Sequence, residues 1–139
     1  MELRKKTELI VIHCAATKAS MDIGASEIKK WHVDDNGWDD IGYHYIIKRG
    51  GLVEVGRPEA FQGAHAPSVN SKSIGICLVG GMADDGGAEN NFTLQQFLSL
   101  KDLIKRLIAS NSNIKEIVGH CDIQDNKPNC PGFNLKEWL

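Results

Sequence analysis

The chain has 139 residues, with 16 Lys and Arg against 18 Asp and Glu and a formal net charge of -2. This length predicts one domain, residues 1–139, whose core needs neither metal nor disulfides to fold. The balanced charge argues against a nucleic-acid-binding surface, and the apolar runs are too short to cross a membrane.

The first apolar run predicts a core strand that ends in potential metal ligands. Residues 9–12 are rich in β-branched side chains, which is typical of a strand buried on both faces, and His13 and Cys14 follow directly. The run is too short for the core of a signal peptide, so we expect synthesis in the cytoplasm. A helix is predicted over residues 26–33, where Ile28 and Trp31 recur at helical spacing.

A hairpin and a second buried strand follow. Residues 43–48 and 52–55 flank the pair Gly50-Gly51, which predicts two antiparallel strands joined by a tight turn. Residues 73–79 form another apolar run, in which Cys77 serves as a small buried side chain.

The clearest helix start lies at Thr93. Gln96 stands three residues later, as in a capping box, while Phe92 and Phe97 occupy the positions of a hydrophobic staple. The helix is predicted to reach residue 109. Its predicted apolar stripe comprises Leu94, Phe97, Leu98, Leu100, Leu103, Ile104, Leu107 and Ile108.

A last strand is predicted at residues 116–119, before His120, and a terminal helical stub at residues 135–139. Strands that alternate with helices, together with one hairpin, indicate an α/β domain with a central mixed β-sheet and helices on its faces.

Two histidines at strand ends and one loop cysteine are candidate metal ligands. His13 and His120 each follow a predicted strand, at the edge of an open α/β sheet where ligands gather. With Cys130 they would give Zn²⁺ three ligands and leave a fourth position for water or substrate. Spacing alone leaves ordinary packing as the alternative. We expect Cys14 and Cys121, each next to a histidine, to point to the opposite face.

Several ordered motifs together resemble one family. They are VIHCAAT (residues 11–17), GWDDIGYHYIIKRGGLVEVGR (37–57), GAHA (63–66), NSKSIGICLVGG (70–81), GHCDI (119–123) and NCPGF (129–133). This pattern is similar to the zinc-dependent N-acetylmuramoyl-L-alanine amidases, especially the amidase-type phage lysozymes, with peptidoglycan recognition proteins as wider relatives.

The resemblance implies a mixed sheet flanked by helices, with a groove that holds one zinc ion at the strand ends. It implies cleavage of the amide between N-acetylmuramic acid and the L-alanine of the peptidoglycan stem peptide. The family's metal ligands fall on His13, His120 and Cys130. Its active-site tyrosine falls on Tyr43.

The match departs from the family pattern near Cys130. The phage lysozymes carry a functional lysine two positions before the cysteine, where this chain has Pro128. Lys127 stands one position earlier, so either it takes that role or the role is missing. His65, in GAHA, resembles a substrate-binding position of the family, with an ordinary loop histidine as the alternative.

The remaining aromatic residues are expected to be structural. His44 should pack inside the protein, and His32 should lie on a helix surface. Trp38 is expected to pack at the edge of the groove rather than to serve as a sugar platform.

Two other functions remain open: a hydrolase with a Cys/His dyad built on Cys130 or Cys14, and a module that binds peptidoglycan without cleaving it. The resemblance makes peptidoglycan the expected partner and raises phage RNA polymerase as a second one. We expect a monomer that acts on the cell wall after release or export.

Overall fold

The computed structural model describes residues 1–124 and 130–138 of the chain. The strands and helices are, in chain order, β1 (Leu9–Cys14), β2 (Thr17–Lys18), α1 (Ala25–Lys30), β3 (Tyr45–Ile47), β4 (Val53–Val55), β5 (Ser73–Leu78), β6 (Gly81–Met82), α2 (Leu94–Ser110), β7 (Glu116–Gly119) and α3 (Leu135–Trp138). A π-helical turn, Trp31–Asp35, continues α1.

The main sheet has five strands in the order β4-β3-β5-β1-β7. β1 lies in the middle and is parallel to both β5 and β7, while β3 is parallel to β5 and antiparallel to β4. This is the predicted α/β fold with a mixed sheet. The parallel arrangement brings the carboxyl ends of β1, β5 and β7 to one edge, where functional side chains gather in such folds.

One face of the sheet packs against α2. Because side chains alternate along a strand, Ile10 and Ile12 of β1 point to the same side, and both are fully buried. Leu100 and Leu103 of α2 belong to the same apolar cluster. The alternate residues of β1, Val11 and His13, therefore point to the face of the sheet away from α2.

The start of α2 confirms the predicted capping box. The backbone N–H of Gln96 donates to the Thr93 hydroxyl at 3.0 Å, and the Gln96 side-chain oxygen accepts from the Thr93 N–H at 3.0 Å. The rings of Phe92 and Phe97 are 6.0 Å apart, as the hydrophobic staple predicts. This local chemistry fixes where the helix begins.

The predicted apolar stripe of α2 is too wide. Leu94 and Leu98 are 69% and 60% exposed, and Ile108 is 42% exposed. Gln96, by contrast, is completely buried, and its amide donates to the carbonyls of Ile47 and Val79. The face of α2 that contacts the sheet is therefore narrower than the sequence indicated, and it includes the polar residue Gln96.

The opposite face of the sheet is covered by α1 and by loops. Ile28 of α1 packs in a cluster with Ile41, Ile46 and Cys77, and Val11 packs with Ala66 and Val69 from a loop. Tyr43 lies against the first of these clusters. Within the described residues, no helix is long and apolar enough to cross a membrane.

The predicted elements are largely confirmed, with shifted ends. The first strand extends through His13 and Cys14, and the hairpin strands are shorter than predicted at three residues each. Gly51 adopts a φ of 94° in the hairpin turn, a conformation that favours glycine.

Candidate metal centre

The strand register places His13 beside His120. Ile12 of β1 is paired with Gly119 of β7, so the next residue of each strand lies at the same level of the sheet edge. The two Nδ1 atoms are 3.1 Å apart, and the ring centroids are 4.4 Å apart. Both side chains are buried. A contact between residues far apart in sequence thus follows from parallel pairing.

Cys130 completes the cluster. One ligand atom each from His13, His120 and Cys130 lies within 4.8 Å of the others. The backbone holds the cysteine here, because the Cys121 N–H donates to the Cys130 carbonyl at 2.8 Å. The Cys14 N–H donates to Cys130 Sγ at 3.2 Å.

The donor set fits zinc. Two imidazoles and a thiolate are preferred zinc ligands, and a site with three protein ligands leaves one tetrahedral position open. With zinc–nitrogen bonds of roughly 2.0–2.1 Å, two nitrogens of a tetrahedral site lie about 3.3 Å apart. The Nδ1 atoms of His13 and His120, at 3.1 Å, lie close to that separation.

The thiol of Cys14 contacts the Cys130 thiol of this cluster. Its hydrogen bond with Cys130 raises the pKa of the Cys130 thiol, and burial adds to the increase. A bound dication has the opposite effect, since it deprotonates a coordinating thiol. All four cysteines are free thiols.

Each histidine of the pair has a second partner at its other ring nitrogen. His13 Nε2 lies 2.8 Å from His65 Nδ1, and His120 Nε2 lies 2.5 Å from Gln124 Oε1. Sequence reasoning missed Gln124, although it follows His120 by about one helical turn. Such contacts orient metal-ligating histidines in proteins.

His65 is buried rather than exposed in a loop. Its backbone N–H donates to the Asn70 side chain at 3.0 Å, and its Nε2 lies 3.3 Å from Ser73 Oγ. Burial holds the pKa of His65 well below its ordinary value, so the ring is neutral near pH 7. Both ring nitrogens contact protein groups, His13 and Ser73.

Tyr43 lies beside the cluster, with its ring centroid 5.1 Å from that of His13. Burial raises the pKa of the Tyr43 hydroxyl well above 10, and the neighbouring Cys77 adds to the increase. The hydroxyl therefore keeps its proton at neutral pH and can donate a hydrogen bond. Cys77 is fully buried, as predicted from its strand.

A cleft of about 460 Å³ opens beside the histidines. Its lining residues are His32, Trp38, Tyr43, Ala64, His65, Pro67, Asn70, His120 and Gln124. His32, expected on a helix surface, lies in the π-helical turn and is partly buried, because its Nδ1 accepts from the Gly42 N–H at 2.9 Å and its ring lies against Trp38. Trp38 is 38% exposed at this cleft.

The two other predicted residues differ in their outcome. His44 packs inside the protein, as expected, with Nδ1 accepting from the Gly75 N–H and Nε2 at 2.8 Å from the Phe61 carbonyl. Lys127 lies outside the described residues.

Comparison with known proteins shows which family the chain resembles. The model of the N-acetylmuramoyl-L-alanine amidase family matches residues 3–133. An endolysin of Enterobacteria phage T3 is 46% identical over 135 residues, which span 97% of this chain and 87% of the phage protein.

Solved structures agree with this match. The endolysin and N-acetylmuramoyl-L-alanine amidase LysCS from Clostridium intestinale is 30% identical, with a TM-score of 0.82 and coverage of 99% of this chain and 84% of that one. A mutant of Drosophila PGRP-LB in complex with tracheal cytotoxin is 25% identical, with a TM-score of 0.78 and coverage of 95% and 79%.

Proposed function

The chain belongs to the N-acetylmuramoyl-L-alanine amidase family, and we propose that it cleaves peptidoglycan with one zinc ion held by His13, His120 and Cys130. The bond hydrolysed is the amide between N-acetylmuramic acid and L-alanine, from which the family takes its name. Endolysin relatives support action on the bacterial cell wall.

The convergence of three donor atoms is the observation that carries the metal proposal. His13, His120 and Cys130 come from β1, from the end of β7 and from the segment after residue 129, yet their ligand atoms lie within 4.8 Å. The Nδ1 atoms of His13 and His120 lie 3.1 Å apart, close to the separation of two nitrogens that bind one zinc ion.

Zinc in this position would lower the pKa of a bound water to about 7 and polarise the scissile carbonyl. The chain itself supplies the surroundings. The three ligands meet at the carboxyl ends of β1 and β7, and the cleft beside them, whose lining includes His120 and Tyr43, would admit a muramyl peptide.

Tyr43 is proposed to donate a hydrogen bond to the oxygen of the scissile carbonyl as negative charge develops there. Its ring lies 5.1 Å from that of His13, and its raised pKa keeps the hydroxyl protonated. A donor of this kind contributes about 3–4 kcal/mol to transition-state stabilisation. By the family resemblance, Lys127 is proposed as a second donor.

The reaction is tested on purified peptidoglycan with mass spectrometry of the soluble products. We expect free stem peptides that begin with L-alanine, no product after treatment with a zinc chelator, and recovery when zinc is added back. Cut glycan strands or cut cross-links in place of free stem peptides would overturn the assignment of the bond.

The same experiment addresses the Cys/His hydrolase, because Cys130 lies close enough to His13 and His120 for either chemistry. A cysteine nucleophile needs no metal and would keep its activity in chelator. A module that only binds peptidoglycan would release no product under any of these conditions.

Residues 1–139 are proposed to form one catalytic domain, made in the cytoplasm and acting as a monomer on the wall after release or export. Binding to a phage RNA polymerase remains a prediction from the family resemblance.

A further inference from the structure

We infer that His65 is a positioning residue for zinc: it accepts a hydrogen bond from His13 Nε2–H and so keeps the Nδ1 lone pair of His13 directed at the metal. The inference rests on the zinc site proposed above. It gives His65 a role different from the substrate contact that the family resemblance implies.

The direction of the hydrogen bonds follows from the carbonyl of Val69. A carbonyl oxygen only accepts, so the 2.7 Å contact between Ser73 Oγ and this oxygen uses the single hydrogen of the hydroxyl. Ser73 Oγ is then left to accept from His65 Nε2, 3.3 Å away. Neutral His65 therefore carries its proton on Nε2 and has a lone pair on Nδ1.

The same reasoning continues to the metal ligand. The lone pair on His65 Nδ1 lies 2.8 Å from His13 Nε2, so this nitrogen of His13 must be the donor. A neutral imidazole has one N–H, and His13 therefore carries its lone pair on Nδ1. The series of hydrogen bonds from the Val69 carbonyl through Ser73 and His65 therefore selects the tautomer of His13 that can bind zinc through Nδ1.

His65 is also held rigidly enough for this role. A Cβ at Gly75 would lie 2.7 Å from the His65 ring, and one at Gly63 would lie 2.6 Å from it. Only glycine at these two positions leaves room for the ring, while Asn70 Oδ1 accepts from the backbone N–H groups of His65 and Ala66. The ring thus lies in a fixed slot between two backbone segments.

The test compares His65→Leu with His65→Asn. Leu fills a similar volume but offers no acceptor, whereas Asn Oδ1 occupies nearly the position of His Nδ1. The dissociation constant for zinc is measured by competition between zinc-loaded protein and a chelator of known affinity. We expect His65→Leu to weaken zinc binding by about 10–100-fold, the usual cost of losing such a partner. His65→Asn should recover most of that loss.

His32→Leu is the matched control, since His32 is another cleft histidine, and its ring contacts Gly42, Trp38 and Tyr43. Its zinc affinity should equal that of the wild type. Ser73→Ala removes the hydroxyl at the other end of this series of hydrogen bonds. We expect it to weaken zinc binding less than His65→Leu does, with the three zinc ligands unchanged. Nitrogen-15 NMR of the imidazoles should show the Nε2–H form for both His65 and His13.

Wild-type zinc affinity in His65→Leu, or an equal loss in the Leu and Asn variants, would overturn the inference while leaving the zinc site intact. An Nδ1–H form at His65 would overturn it as well. If the wild-type protein itself binds no zinc, the proposed function fails, and this inference fails with it. Thermal unfolding of each variant shows whether it is folded. If His65→Leu does not fold, the zinc affinity of His65→Asn is compared with that of the wild type instead.

Discussion

His44 should make the protein sensitive to mild acid. Its side chain is fully buried, and burial lowers its pKa from 6.5 to about 4, an effect to which Arg4 and Arg57 add and which Phe61 and Glu59 oppose. The unfolded chain therefore takes up a proton at His44 at a higher pH than the folded protein does. The contribution of His44 to stability is complete above pH 6.5 and is lost as the pH falls towards 4.

The size of the effect follows from the same values. One pKa unit is worth about 1.4 kcal/mol, so lowering the pKa of His44 from 6.5 to about 4 corresponds to about 3 kcal/mol of unfolding free energy. The perturbation is His44→Gln, which removes the titrating group and retains an amide that can donate to the Phe61 carbonyl. The variant should be less stable than the wild type at pH 7. Between pH 7 and pH 4, however, its free energy of unfolding should fall by about 3 kcal/mol less than that of the wild type.

Urea denaturation at a series of pH values measures this difference, with chelator present so that metal binding does not contribute. Taking the difference between the two proteins cancels the titration of the groups that His44 does not affect. Equal acid losses in the wild type and His44→Gln would refute the argument, as would an NMR titration that gives His44 a pKa near 6.5.

Further predictions concern turnover and packing. Tyr43→Phe should lower kcat by about 10²–10³-fold with zinc affinity unchanged, and unchanged turnover in steady-state kinetics would remove Tyr43 from the mechanism. Gln96→Leu removes the side-chain donor of the buried Ile47 carbonyl and leaves the Val79 carbonyl with Arg49 as its side-chain donor, so it should cost about 1–3 kcal/mol in urea denaturation. Leu98→Gln, on the exposed side of the same helix, should change stability by less than about 0.5 kcal/mol, and a loss as large as that of Gln96→Leu would contradict the packing described here.

Features with a local cause could be predicted from the sequence. The capping box at Thr93 and Gln96 depends on a spacing of three residues, and the structure contains both of its hydrogen bonds. The position of His13 at the end of a buried strand follows from the apolar run before it. The motifs also pointed to the family that the comparisons give.

Features that depend on tertiary packing could not be predicted in the same way. Apolar spacing placed Leu94 and Leu98 in the core, although the sheet covers only part of the helix. The burial of Gln96 depends on two carbonyls that lie far away in the sequence. Likewise, nothing in the local sequence around His65 indicates that Ser73 and His13 meet its two ring nitrogens.

X-ray absorption at the zinc edge tests the central claim most directly, because it reports the atoms bound to the metal. The zinc-loaded wild type should show two nitrogen ligands at about 2.0–2.1 Å and one sulfur at about 2.3 Å. In Cys130→Ser the sulfur contribution should disappear, whereas Cys121→Ser should retain it. A wild-type spectrum without sulfur, or with sulfur that persists in Cys130→Ser, would contradict the His13, His120 and Cys130 site.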